Sequence, residues 1–128
     1  VRQILIWHRN AEFDVNPGYF VPTYEVIYMI TKPNFKLAKG ANSHGDVWQI
    51  GQAKNIDHPA PFPIELIERV ISSTNANIIL DPFMGSGTTA LAAKKLDRNY
   101  IGIEISQEYC DYAQKRISQV TEQNNLLF

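Results

Sequence analysis

The chain predicts a single α/β domain built on a mostly parallel sheet, with an antiparallel strand pair added to it. Three observations predict this class. The second half alternates apolar patterns in the order helix, strand, helix, strand, helix, which is how a βαβ unit reads. The first half holds two short runs of β-branched and aromatic residues with turn residues between them. The 128 residues, 45% hydrophobic, 11% aromatic and 20% charged, match one soluble globular domain and neither a multi-domain nor a disordered chain.

The two early runs are Ile4 to Trp7 and Tyr24 to Ile30, and Asn16, Pro17 and Gly18 lie between them, so an antiparallel pair joined by a long loop is expected. From Thr31 to Asp57 periodicity weakens while Lys, Gly and Asn accumulate, which predicts a surface excursion with one short strand at Val47 to Ile50. Trp7 and Trp48 are expected to pack in the core or at its edge. Beyond Pro59, Pro61 and Pro63, the residues Ile64, Ile67, Val70 and Ile71 recur at helical spacing, with Pro63 as the first helical residue and an end near Ser73. Ile78 to Leu80 reads as a continuous apolar strand, Thr88 to Leu96 as a small-residue helix, and Tyr100 to Glu104 as a second strand. A last helix from Gln107 to about Val120 places Tyr109, Ala113, Arg116, Ile117 and Val120 on one side.

Composition removes several function classes. Twelve basic and thirteen acidic residues give a net charge of -1, so any polyanion site must be a local patch. The single cysteine, Cys110, excludes an internal disulfide and a cysteine zinc site, and it reads as a small buried hydrophobe. No N-x-S/T sequon, signal-peptide layout or membrane-length apolar run occurs, which fits a reducing cytoplasm with no membrane and no metal. The chain opens Val-Arg-Gln rather than with Met, which suggests a fragment.

The most informative string is Asp81-Pro82-Phe83-Met84-Gly85-Ser86-Gly87-Thr88-Thr89, which follows a predicted strand and opens a predicted helix. Gly85 and Gly87 permit positive φ and remove Cβ atoms that would block a ligand, and the helix start favours an electron-rich partner. Nineteen residues after Gly85, Glu104 stands at the end of the next strand, where a carboxylate can accept from both ribose hydroxyls of a nucleotide-like cofactor. A plain strand-to-helix turn with a solvated Glu104 is the bland alternative. A phosphate-binding Walker loop is not, because no Lys follows Gly87. Gly85 to Ala90 fits the bare dinucleotide pattern, so these residues alone do not separate NAD from another adenosyl cofactor.

Three strings together resemble the amino-directed DNA methyltransferases, which methylate N6 of adenine or N4 of cytosine with S-adenosylmethionine. Asp81 to Thr89 resembles the family's cofactor loop, and Gly102-Ile103-Glu104-Ile105 its ribose-binding strand end. His58-Pro59-Ala60-Pro61-Phe62-Pro63 resembles the segment that closes over the methionine side. The order of the strings is similar to that of the permuted β class. The resemblance extends upstream through Ile4-Leu5-Ile6-Trp7-His8 and Tyr24-Glu25-Val26-Ile27-Tyr28 and covers essentially the whole chain.

The resemblance implies a Rossmann-like methyltransferase fold, three-layer αβα, incomplete here. It implies a cofactor site of His58, Pro59, Ala60, Phe62, Asp81, Phe83, Gly85, Ser86, Gly87, Thr88, Thr89 and Glu104. His58 reads equally well as a turn residue. It also implies a target-recognition excursion over residues 31–57, in which Lys32, Lys36, Lys39 and Lys54 would suit the phosphates of double-stranded DNA. Solvated loop lysines are the bland reading of those four. Enzymes of this family occur in restriction-modification, act by direct in-line methyl transfer and use no metal.

An exocyclic base amine is a poor nucleophile, because its lone pair is delocalised into the ring. By resemblance, a [DN]-P-P-[YFW] tetrapeptide aims that lone pair at the methyl group, after the base has been extruded from the duplex. No such tetrapeptide occurs in the 128 residues. Asn16-Pro17-Gly18-Tyr19 is the nearest string, with Asn16 and Tyr19 as weak catalytic candidates, but it follows a polar stretch rather than an apolar strand and reads as a loop. The β class places its catalytic strand upstream of the region matched here. The leading expectation is therefore the C-terminal portion of a methyltransferase, whose preceding segment, or a second chain, carries the motif beside the Ile78 to Leu80 strand. A non-catalytic cofactor-binding module that pairs with a separate catalytic chain is the alternative. A nicotinamide-dependent oxidoreductase is disfavoured, because nothing resembles a substrate domain.

Overall fold

Alternation of side chains along three strands builds the first part of the chain. A computed structural model describes residues 1–9, 18–52 and 62–125, which divide between two compact units, Val1–Gln52 and Ala53–Phe128. In the first unit, β1 (Gln3–His8) pairs antiparallel with β2 (Tyr24–Met29), and β3 (Val47–Gln49) joins the other side of β1 in parallel, giving the order β2-β1-β3. The antiparallel pair and the short strand are as the sequence predicts.

Because successive strand residues point to opposite faces, Leu5, Trp7 and Trp48 share the buried face, and Ile50 follows β3 on the same side. Each indole nitrogen finds a carbonyl, as a buried tryptophan requires: Trp7 Nε1 donates to Ile50 at 2.8 Å and Trp48 Nε1 to Gly45 at 2.9 Å. The opposite face carries Ile4, Tyr24, Val26, Tyr28 and Val47, all exposed. Between β2 and β3 the chain runs through a single helical turn, Ala41–His44, flanked by Gly40 and Gly45 at positive φ.

In the second unit, Pro63 is the N-cap of α1 (Ile64–Ser72) rather than its first residue, because its ψ of 137° is extended. The helix buries Leu66 and Ile71, and Ser73 closes it. Then follow β4 (Ile78–Asp81), α2 (Thr88–Lys95), β5 (Asn99–Gly102) and α3 (Gln107–Asn125). The strands β4 and β5 pair in parallel with Ile78 opposite Asn99 and Asp81 opposite Gly102, so the βαβ reading holds. Glu104 lies just past the end of β5 rather than inside it, and α3 continues beyond Val120.

The core of this unit is Ile71, Ala92 and Ala93, with Ile64, Ile67, Ile79 and Leu96 packed against it. Alanine at positions 90, 92 and 93 lets α2 approach α1, the sheet and α3 closely, and all three alanines are buried. Lys95 reaches Glu68 on α1 at 3.5 Å, and Lys94 Nζ donates to the Ile117 carbonyl on α3 at 3.3 Å. Asp97 at φ 53° turns the chain out of α2, with Arg98 N donating to the Ala93 carbonyl and Asp97 N to that of Lys94, the two bonds of a Schellman end. Ile79 faces the helices, whereas Ile78, Leu80 and Ile101, on the other face of β4 and β5, are exposed. No helix among the described residues is long and apolar enough to cross a membrane.

Candidate functional site: the glycine-rich loop and Glu104

Two parallel strands end side by side, and the loop after β4 folds over the end of β5. Asp81 starts the loop: its Oδ1 accepts from Phe83 N at 3.0 Å, so this carboxylate shapes its own turn. Met84 N donates to the Ile103 carbonyl at 2.9 Å and Ile103 N to the Asp81 carbonyl at 2.9 Å, which extends the β4–β5 ladder into the loop. The Met84 side chain then lies over Gly102, where a Cβ would collide with its sulfur. Glycine at the end of β5 is the room that lets the loop sit down.

Glu104 ties the loop to the strand end from the other side. Its Oε2 accepts from Gly85 N at 2.8 Å and its Oε1 from Ser106 N at 2.8 Å. The carboxylate is thus held at a fixed place and orientation by two backbone amides. Around it, Phe83, Ile103 and Ile105 are exposed, Ile105 completely so. A fixed carboxylate beside exposed apolar side chains, at the carboxyl ends of parallel strands, suits a ligand with a diol and a flat apolar ring.

Gly85 and Gly87 both have positive φ, 51° and 81°. At Gly87, however, the missing Cβ does not open room for a ligand: a Cβ there would lie 2.7 Å from the Cβ of Ala113 on α3. The space is filled by the helix, so that part of the expectation is corrected. Ser86 and Thr88 are buried, and their hydroxyls meet Arg116 of α3 at 3.1 and 3.4 Å. Arg116 was legible only as one side of a helix, and no local signal joins it to a loop thirty residues earlier. Cys110 is half-buried, its thiol directed at the Glu104 carbonyl at 3.7 Å, rather than fully buried.

The structure therefore brings together Asp81, Phe83, Gly85, Ser86, Gly87, Thr88, Thr89 and Glu104. Phe62 is half-exposed just before α1. His58, Pro59, Ala60, Lys54 and Asn16 lie outside the described residues, and Tyr19 is exposed. Lys32, Lys36 and Lys39 are exposed in the excursion after β2. Among the described residues no cluster of His, Cys, Asp or Glu is placed to hold a metal ion.

A family model described as DNA methylase matches residues 1–115. The chain is 40% identical to the type II methyltransferase M2.DpnII of Streptococcus pneumoniae, over 94% of this chain and 52% of that protein. It is 37% identical to M2.MboI of Moraxella bovis, over 94% of this chain and 51% of that protein. The chain spans about half the length of these curated relatives. Among solved structures it is similar to the M1.HpyAVI complex with SAM, at 33% identity and a TM-score of 0.67, over 90% of this chain and 60% of the other. The cytosine-N4-specific PvuII DNA methyltransferase matches in fold, with a TM-score of 0.75 at 21% identity, over 89% of this chain and 50% of that one.

Proposed function

Because this chain belongs to the N6/N4 DNA methylase family, we propose that it supplies the S-adenosylmethionine site and part of the DNA contacts of a DNA amino-methyltransferase. In this reading it works with a segment or second chain that carries the [DN]-P-P-[YFW] motif. The fixed Glu104 carboxylate is the observation that carries the proposal. An ionised carboxylate accepts hydrogen bonds and cannot donate, so one immobilised at this strand end is suited to the two hydroxyls of a ribose. Exposed Ile103, Ile105 and Phe83 offer apolar surface for the purine beside it. These residues fit the cofactor. When bound, S-adenosylmethionine supplies an electrophilic methyl group on a sulfonium.

The contribution of this chain is then binding and orientation. Glu104 sets where the ribose lies, and the loop from Asp81 to Thr89 sets the distance from there to the reacting end. Lys32, Lys36 and Lys39 are proposed to meet DNA phosphates, which gives affinity without sequence preference. Aiming the base amine is left to the tetrapeptide that the chain does not contain. Two exposed apolar faces support a partner: Ile4, Val26, Tyr28 and Val47 on the first sheet, and Ile78, Leu80 and Ile101 on the second. Contiguous apolar surface of this kind marks an interaction site.

Calorimetric titration with S-adenosylmethionine tests the site. Glu104→Ala is expected to weaken binding by about 1.5 to 3 kcal/mol, the size of a charge-assisted hydrogen bond, and to leave DNA affinity unchanged. Loss of DNA affinity with cofactor affinity intact would refute the assignment.

A further inference from the structure

We propose that Arg116 is a positioning residue for the cofactor loop: from α3 it locks the orientation of the Ser86–Gly87 peptide on which binding of S-adenosylmethionine depends. The inference rests on the cofactor reading above. Arg116 Nη1 donates to the Ser86 carbonyl at 2.6 Å, a short charge-assisted bond, and the same nitrogen lies 3.1 Å from Ser86 Oγ and 3.4 Å from Thr88 Oγ1. The other end of that peptide, Gly87 N, donates to the Met84 carbonyl at 3.0 Å. Both polar ends of one peptide unit are therefore held.

This peptide needs holding. Gly85 at φ 51° and Gly87 at φ 81° flank Ser86, and glycine accepts either sign of φ at little cost, so the peptide units around Ser86 can rotate with low steric resistance. A half-turn of the Ser86–Gly87 unit would swing its carbonyl away from α3 and break the Met84 bond. Breaking that bond also frees one end of the Met84–Gly85 unit, whose other end, Gly85 N, fixes Glu104. A loop that alternated between the two orientations would offer its ligand the competent one for only part of the time, and apparent affinity falls by that fraction.

The arginine is itself braced. Tyr112, one helical turn earlier, places its ring centroid 5.8 Å from the guanidinium carbon, and Ala113 between them packs against Gly87. The face of α3 that meets the loop thus combines a small residue for close approach with a charged one for the carbonyl. Lysine can supply one charged donor, on a stem one bond shorter and without the planar fork, so it should restore the interaction in part.

Amide hydrogen exchange and cofactor titration on the same samples test the proposal. In Arg116→Ala, exchange at Gly87 should rise about tenfold while β4, β5 and α1 keep their protection. Affinity for S-adenosylmethionine should fall on the order of tenfold. Arg116→Lys should recover part of both. Unchanged exchange with normal binding would overturn the proposal. So would faster exchange with unaltered affinity, because the clamp would then not serve the ligand. General loss of protection in both variants would overturn it too, by making Arg116 a residue of the core. If the parent chain binds no cofactor while its loop responds as described, the cofactor reading fails and the inference falls with it. That pattern is distinct from failure of the clamp alone.

Discussion

At Gly87 a side chain would meet two separate penalties. The backbone stands at φ 81°, and an added Cβ would press on the Cβ and Cα of Ala113 at 2.7 and 3.3 Å. The left-handed conformation costs a non-glycine residue roughly 1 to 2 kcal/mol. Overpacking adds about 1 to 3 kcal/mol. Gly87→Ala should therefore lower stability by about 2 to 5 kcal/mol in chemical denaturation. Ala113→Gly in the same chain should recover only the overpacking part, less the cost of about 1 kcal/mol for a mid-helix glycine. Strict additivity of the two changes would mean that the side chains do not meet. The sequence pattern marks both glycines of the loop but does not tell a glycine that faces a ligand from one that faces a helix. Glu104 was legible because strand end and spacing are local features. Arg116 was not, since its partners are set by how α3 crosses the loop.

Element identity was largely legible where an element buries a regular face: Ile64, Ile67 and Ile71 on α1, the small residues of α2, Leu5 and Trp7 on β1. What sequence did not supply was partnership and limits. The parallel docking of β3 on β1 is a long-range pairing with no local signature, and Pro63 looks the same at an N-cap as at the first helical position. The excursion between β2 and β3 read correctly as surface, since few of its residues bury anything. Its lysines can be tested at this scale. Replacing Lys32, Lys36 and Lys39 together with Ala should weaken DNA binding for all sequences and flatten its salt dependence by roughly 0.9 in log-log slope for each phosphate that is no longer neutralised. An unchanged slope would make them a solvated face.

For the molecule as a whole, family membership was legible in three short strings, because cofactor loops constrain backbone and side chain together within a few residues. Activity is a different matter, since methyl transfer to a base amine requires acceptors that orient its lone pair and an aromatic ring that holds the extruded base. None of the 128 residues forms the tetrapeptide that does this in the family, and the nearest string offers one proline and follows a mixed, polar sequence. Under the proposed function, the exposed apolar face of β4 and β5 is one place where a segment carrying the motif would pack. The purified chain should therefore transfer no label from S-adenosylmethionine to mixed-sequence DNA. Activity should appear when a segment carrying [DN]-P-P-[YFW] is joined to the chain or mixed with it, and Leu80→Lys on the exposed face of β4 should oppose that recovery. Turnover by the chain alone, abolished by Asn16→Ala or Tyr19→Ala, would instead make Asn16-Pro17-Gly18-Tyr19 the catalytic motif and remove the need for a partner.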